Sequence, residues 1–231
     1  MSDFLDTCER AAADGWARIK RGTFWRHVME HGFDRELYVG LMTEIYHYTR
    51  ENTQNQALAA LDLHSDRLSL MRFCLNHALE EAGHDLMALN DLRSVGADPE
   101  RAMASSPLPE TQAFVAYLYR VASTRDATAR LGYSLWAEGC YPHIAEVLQS
   151  MRSSLSLTDG QMTFFVAHGK IDEGHLEEVR RTIVQHCTTD ELRAGVLDVL
   201  RTSLHLQGTV LEGVIRVHQE SRRLEPAAAG R

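Results

Sequence analysis

The sequence has little proline and little glycine, the two residues that most often interrupt regular secondary structure. Only 5 of its 231 residues are proline and 15 are glycine, whereas average usage gives the two together about 12% of a chain. Residues 1–98 and 143–225 contain no proline at all. Stretches of that length, rich in Ala, Leu, Glu and Arg, are typical of helices and argue against strands. We therefore predict an all-α domain.

Long apolar runs and an excess of positive charge are also missing. No stretch reaches the roughly 18 consecutive apolar residues of a membrane span, and the N-terminus lacks the basic and apolar regions of a signal peptide. The chain has 24 Lys and Arg against 32 Asp and Glu, a formal charge of −8. Such a surface repels polyanions. We expect a cytoplasmic protein without nucleic-acid or membrane partners.

Cysteine is scarce, and histidine is not. The four cysteines show no Cys-x-x-Cys spacing, which indicates reduced thiols in a reducing compartment. Histidine occurs twelve times, whereas tyrosine and phenylalanine occur seven times each. The positions of the histidines therefore carry the functional argument.

Capping residues and glycines divide the chain into seven predicted helices. No internal repeat or interdomain linker is evident, so residues 1–223 are predicted to form one domain and residues 224–231 a disordered tail. Gly96 is expected to stop a helix. The predicted helices cover 2–20, 34–63, 66–95, 110–123, 126–151, 158–186 and 188–223, with a turn-like stretch at 22–33 and a proline-rich loop at 96–110.

The strongest chemical pattern lies in residues 161–180. His168, Asp172 and His175 stand at positions i, i+4 and i+7, which places the three side chains on one helical face. Two imidazoles and a carboxylate on one stripe can ligate a divalent first-row metal such as iron or manganese. A solvated helix face gives the same pattern, so this segment alone decides nothing.

A second helix repeats the arrangement. His77, Glu81 and His84 have the same spacing, and two matching clusters arise by chance far less often than one. Glu80 competes with Glu81 for the ligand position. We favour Glu81 because Glu-x-x-His is the ligand spacing of di-iron carboxylate bundles.

A third carboxylate, Glu138, stands among apolar residues in SLWAEGCYPHI. We expect it to be buried, and a buried carboxylate needs a partner or a metal ion. Pro142 cannot donate to the carbonyl of residue 138, so we expect a kink there. Gly83 and Gly139 are among four glycines beside predicted ligands, and they indicate either close helix approach or local unwinding.

Taken in order, these motifs resemble the haem-oxygenase-like di-iron oxidases and oxygenases, a family that includes fatty-acid decarboxylases, N-oxygenases and amino-acid-fragmenting lyases. The resemblance implies a seven-helix haem-oxygenase-like bundle that binds two Fe(II) ions and uses O2 as co-substrate through a peroxo-di-iron intermediate. The expected reaction is N-oxygenation, desaturation or oxidative C–C cleavage of a small organic metabolite, and a homodimer is compatible with the family. The implied metal ligands are Glu81, His84, Glu138, His168, Asp172 and His175.

Two other functions stay open at this point. A ferritin-like di-iron protein would use Glu44 and Glu138 together with the two acid-x-x-His motifs, although His168 has no role in it. A metal-independent, thiaminase-like enzyme of the same fold would use Cys140 as its nucleophile.

The polar stretch YHYTRENTQNQ, residues 46–56, is the candidate substrate site. Arg50 can pair with a substrate carboxylate, which slightly favours an amino acid or another small carboxylate over a fatty acid. His47 lies on the same stripe. His77 is expected to orient a ligand or to cap the pocket.

Overall fold

The computed structural model describes residues 2–224, except for the side chains of Ser2 and of residues 170–173. This part of the chain is helical and contains no strand, which confirms the all-α prediction. Of the predicted tail, residues 225–231 lie outside the described range. The helices are α1 (Ser2–Ile19), α2 (Thr23–His31), α3 (Arg35–Thr49), α4 (Asn52–Leu58), α5 (Leu68–Glu80), α6 (His84–Ser94), α7 (Pro99–Ala104), α8 (Pro109–Thr124), α9 (Leu131–Glu138), α10 (Tyr141–Leu155), α11 (Thr163–His186) and α12 (Asp190–Leu224).

Helix boundaries follow local capping chemistry. The Asp34 side chain accepts a hydrogen bond from a backbone N–H in the first turn of α3 at 2.8 Å, as expected of an N-cap. Asp98 caps α7 in the same way, and Pro99 occupies its first turn. The proline-rich loop therefore contains a short helix that the sequence analysis missed. Gly96 has a φ of +72° directly after α6, so the predicted stop is confirmed.

The prediction of seven helices is wrong because three long ones are interrupted and two short ones, α2 and α7, were missed. One interruption separates α5 from α6, where Gly83 adopts a φ of +92°, a conformation that suits glycine. Another separates α9 from α10: a Cβ at Gly139 would lie 2.9 Å from the carbonyl oxygen of Leu135. Pro142 stands in the first turn of α10, so the chain starts a new helix there instead of kinking.

The 35-residue helix α12 forms the centre of the bundle. It packs against α1, α3, α8 and α9. It lies very close to α9 at Gly132, where a Cβ would be 2.1 Å from the carbonyl oxygen of Val196. The absence of a side chain at this position lets the two backbones touch.

Helix α11 lies on the other side of α9 and also packs against α5 and α6. The six predicted metal ligands lie on these four helices or, in the case of Glu81, directly after α5. None of the described helices is long and apolar enough to cross a membrane.

Candidate metal centre

Helix ends supply three of the six predicted ligands. Glu81 follows the last residue of α5 and His84 begins α6, so this Glu-x-x-His pair spans a helix break. Glu138 ends α9, whereas His168 and His175 lie within α11. Because α11 packs against α5, α6 and α9, these side chains converge inside the bundle.

Three of them form what we call the Glu81 cluster: Glu81, His84 and His168. One potential ligand atom from each lies within 4.8 Å of the others. Nδ1 of His84 is 3.5 Å from Oε2 of Glu81, and the ring centroids of His84 and His168 are 4.5 Å apart. Both Glu81 and His84 are buried.

A second group, the Glu138 cluster, contains His77, Glu138 and His175, again with ligand atoms within 4.8 Å of one another. Nε2 of His77 is 2.9 Å from Oε1 of Glu138, and Nδ1 of His175 is 3.5 Å from Oε2. The side chain of Glu138 is only 9% exposed, in agreement with the expected burial. His77, predicted to orient a ligand, thus contacts a candidate ligand directly.

The two cluster histidines of α11 are each oriented by an acceptor outside their cluster. Nδ1 of His168 is 2.6 Å from the carbonyl oxygen of Phe164, and since a carbonyl only accepts, Nδ1 carries the proton. Nε2 then keeps its lone pair for a metal ion. Nε2 of His175 is 3.2 Å from Oε2 of Glu80, which leaves Nδ1 towards Glu138. Glu80, the rejected competitor of Glu81, therefore supports a ligand of the other cluster.

The two carboxylates are held ionised inside the protein. Burial alone would raise the pKa of Glu138, but hydrogen bonds from His175 and His77 lower this pKa to about 2. The hydrogen bond to Glu138 in turn raises the pKa of His175 to about 9. Burial likewise opposes ionisation of Glu81, and the neighbouring imidazole of His84 lowers the pKa of Glu81. Buried negative charge of this kind attracts a cation.

The residues fit divalent transition-metal ions. Nδ1 of His84, which faces Oε2 of Glu81, is buried and has no hydrogen-bond partner in the described part of the chain, although buried polar atoms are normally paired. Imidazole and carboxylate together suit iron. The side chain of Asp172 lies outside the described residues, and its role as a ligand stays a prediction.

A polar pair that the sequence analysis missed supports Glu81. Nδ2 of Asn52 donates to Oε2 of Glu81 at 3.3 Å, and the hydroxyl of Tyr133 donates to Oδ1 of Asn52 at 3.4 Å. Asn52 belongs to the polar stretch 46–56, whose unusual polarity was the available signal. Its function there is to hold a carboxylate of the protein.

Glu44 is placed away from both clusters. Its carboxylate accepts a hydrogen bond from the backbone N–H of Leu108 at 3.1 Å, directly before α8. A buried carboxylate at a helix N-terminus satisfies unpaired N–H groups. The ferritin-like hypothesis requires Glu44 as a ligand, and Glu44 belongs to neither metal cluster of the described residues.

His47 and Arg50 do not line the cavity described below. Nε2 of His47 is 2.9 Å from the hydroxyl of Ser105. Nε of Arg50 is 3.0 Å from Oε1 of Glu51, and its guanidinium lies over the ring of Tyr46. Their predicted substrate-binding role finds no support in this geometry.

A cavity of about 160 Å³ lies beside the clusters. Glu81, Glu138 and His168 form part of its wall, and Cys140 also lines it. The remaining wall is mainly aliphatic and aromatic. The apolar lining includes Trp25, Leu41, Ile45, Ile144, Val147, Leu148, Met151, Phe165 and Leu211, and the amide and hydroxyl side chains are Thr49, Asn52, Gln56, Gln207 and the tyrosines Tyr48, Tyr133 and Tyr141.

Comparisons with known proteins agree with this architecture. A family model described as iron-containing redox enzyme matches residues 39–208. A protein of unknown function with a haem-oxygenase-like fold from Shewanella denitrificans is 41% identical, with a TM-score of 0.90 over 94% of both chains. No curated protein matches.

More distant structures share the fold alone. A TenA homologue from Pseudomonas syringae pv. tomato is 11% identical, with a TM-score of 0.71 over 92% of this chain and 93% of its own. A TenA homologue from P. horikoshii is 13% identical, with a TM-score of 0.73 over 92% and 98%. The chain therefore has the haem-oxygenase-like fold.

Proposed function

Because the chain belongs to the family of iron-containing redox enzymes, we propose that it is a non-haem di-iron enzyme that consumes O2 to oxidise a small organic molecule. The observation that supports this best is the pair of buried clusters, each with two imidazoles and one carboxylate within 4.8 Å. That donor set is typical of ferrous sites that react with O2.

The proposal assigns a role to each of the two clusters, to the residues that support them and to the cavity wall. The Glu81 cluster would hold one Fe(II) ion and the Glu138 cluster the other, and the bound iron would supply the electrons that reduce O2. The carbonyl of Phe164 keeps Nε2 of His168 available, and Asn52 holds Glu81. The apolar wall of the cavity excludes water from the reacting groups.

The cavity also indicates the chemistry of the substrate. Its lining is mainly apolar, so we propose a molecule with an apolar body and a small polar group. Gln56 lies in the wall and can face that polar group. This differs from the small polar carboxylate favoured by the sequence, because Arg50 is paired with Glu51.

An anaerobic titration with Fe(II) tests the proposal. We expect two ions to bind per chain and O2 to be consumed when it is admitted. His168→Ala should lose one ion, whereas His186→Ala, at the far end of the same helix and bonded to Ser69, should keep both. Failure of the unmodified protein to bind iron, or two ions in His168→Ala, contradicts the proposal.

A thiaminase-like activity remains the second candidate because the half-buried Cys140 lines the cavity. The discriminating experiment uses protein treated with a chelator and then supplied with thiamine. The di-iron proposal expects no consumption of thiamine. Consumption that disappears in Cys140→Ser would support the thiaminase-like activity instead.

A further inference from the structure

His77 lies inside the metal centre although it is not one of the six ligands implied by the sequence. Its side chain is 4% exposed, and it stands one helical turn before Glu81 on α5. The ring faces Glu138 and His175, with a centroid separation of 5.3 Å from the ring of His175. The other nearby ring is that of Phe73 at 5.4 Å.

The spacing of the Glu138 cluster matches that of ligands sharing one ion. At a metal–ligand distance of about 2.1 Å, two ligands at a right angle are about 3.0 Å apart, and two in a tetrahedron about 3.4 Å. Nε2 of His77 lies 2.9 Å from one oxygen of Glu138, and Nδ1 of His175 lies 3.5 Å from the other. The corresponding distance between Glu81 and His84 is also 3.5 Å.

We propose that His77 is a direct ligand of the metal ion at the Glu138 cluster, so that the described side chains supply two imidazoles and one carboxylate to each ion of the centre. The inference rests on the proposed function, since it assigns a residue to one of its two ions. A set of two histidines and one carboxylate leaves coordination positions open for O2 and substrate. Both ions then have room to take part in the reaction.

The alternative role for His77 is that of a positioning residue, which would donate from Nε2 to Glu138 without contacting the metal. The two roles differ in what can replace the imidazole. Glutamine also carries an N–H donor and can preserve a hydrogen bond to the carboxylate. It cannot supply the nitrogen lone pair that a ligand needs.

The test is anaerobic loading of the full chain with ⁵⁷Fe(II), followed by iron counting and Mössbauer spectroscopy. The unmodified protein should bind two ions, each with its own ferrous quadrupole doublet. His77→Ala and His77→Gln should each lower the affinity for the ion at the Glu138 cluster at least tenfold, or change the quadrupole doublet of that ion and leave the other doublet unchanged. Added imidazole should restore that signal in His77→Ala.

The matched control is His218→Gln, because His218 is also buried and its Nε2 lies 3.3 Å from a carboxylate oxygen of Asp34, outside both clusters. This variant should keep two ions and both doublets. If His77→Gln also binds two ions with unchanged doublets, His77 is not a ligand and the inference is wrong. If the unmodified protein binds no second ion, the di-iron proposal itself fails.

Discussion

Asp91 accepts a hydrogen bond from the backbone N–H of Phe164 at 2.9 Å and so closes the N-terminus of α11. The other carboxylate oxygen accepts from the N–H of Thr163, also at 2.9 Å. Asp91 lies two turns after His84 on α6. Phe164 lies one turn before His168 on α11, and its carbonyl oxygen accepts a hydrogen bond from Nδ1 of His168. One helix therefore supplies a candidate ligand and also anchors the helix that supplies the next.

Asp91→Ala should destabilise the protein by about 2 to 3 kcal/mol, since it removes the carboxylate that accepts from the first two N–H groups of α11 and leaves them unpaired. Urea unfolding of the metal-free protein measures the loss. Asp98→Ala removes the cap of the short, exposed helix α7 and should cost less than about 1 kcal/mol. If the two variants lose the same free energy of unfolding, Asp91 stabilises the protein no more than an ordinary helix cap does.

Gly132→Ala should prevent folding or destabilise the protein by more than about 3 kcal/mol, because overpacking against a backbone cannot be relieved by side-chain rotation. The new Cβ would meet the carbonyl oxygen of Val196 at 2.1 Å. The control is Gly195→Ala, beside the same contact, where the nearest atom is the Cβ of Ala129 at 3.6 Å. That variant should be neutral or up to about 1 kcal/mol more stable. Thermal unfolding distinguishes the two.

Gly83→Ala should destabilise the break between α5 and α6 by about 1 to 2 kcal/mol, because an L-residue is strained at a φ of +92°. The strain should also displace His84 relative to Glu81 and weaken iron binding. Gly83→Asn should lower stability and iron affinity less than Gly83→Ala does, since asparagine tolerates left-handed conformations better than alanine. Similar iron affinities for all three proteins would mean that the break does not position the ligands.

The ion pair of Asp126 with Arg67 should make stability depend on acid pH. The hydrogen bonds from Arg67 lower the pKa of Asp126 from 3.8 to about 2, so the ion pair stabilises the fold fully above pH 3.8 and loses this effect as the pH falls towards 2. The side chain of Asp126 is 34% exposed. Because solvent screens a partly exposed ion pair, we expect it to stabilise the fold by about 1 kcal/mol. Urea unfolding should show Asp126→Asn destabilised by that amount at pH 7 and by less at pH 3.

Asp159→Asn is the comparison for this experiment. Asp159 also pairs with an arginine, Arg152, but its side chain is 74% exposed. Its removal should change the free energy of unfolding by less than about 0.5 kcal/mol at either pH. A constant difference between Asp126→Asn and the unmodified protein from pH 7 to pH 3 would contradict the assigned pKa.

Local sequence signals predicted helix type and several ends well. Helix α1 covers Ser2–Ile19 against a prediction of 2–20, and the stop at Gly96 was correct. The interruptions beside Glu81 and Glu138 were missed as helix boundaries, although Gly83 and Gly139 had indicated local unwinding. The helical spacing of side-chain types in the sequence continues across a short break in the helix. The spacing therefore does not reveal that the backbone changes direction there.

The amino-acid sequence by itself determined the fold class and the kinds of group available for a metal ion, because both depend on composition and on short-range spacing. It could not separate Glu44 from Glu81, since each precedes a histidine by three residues. The tertiary structure decided between them. Glu44 meets the N–H of Leu108, 64 residues away, and caps a helix, whereas Glu81 faces His168 across the bundle. Contacts between distant segments depend on how whole helices pack, and local spacing contains no record of that packing.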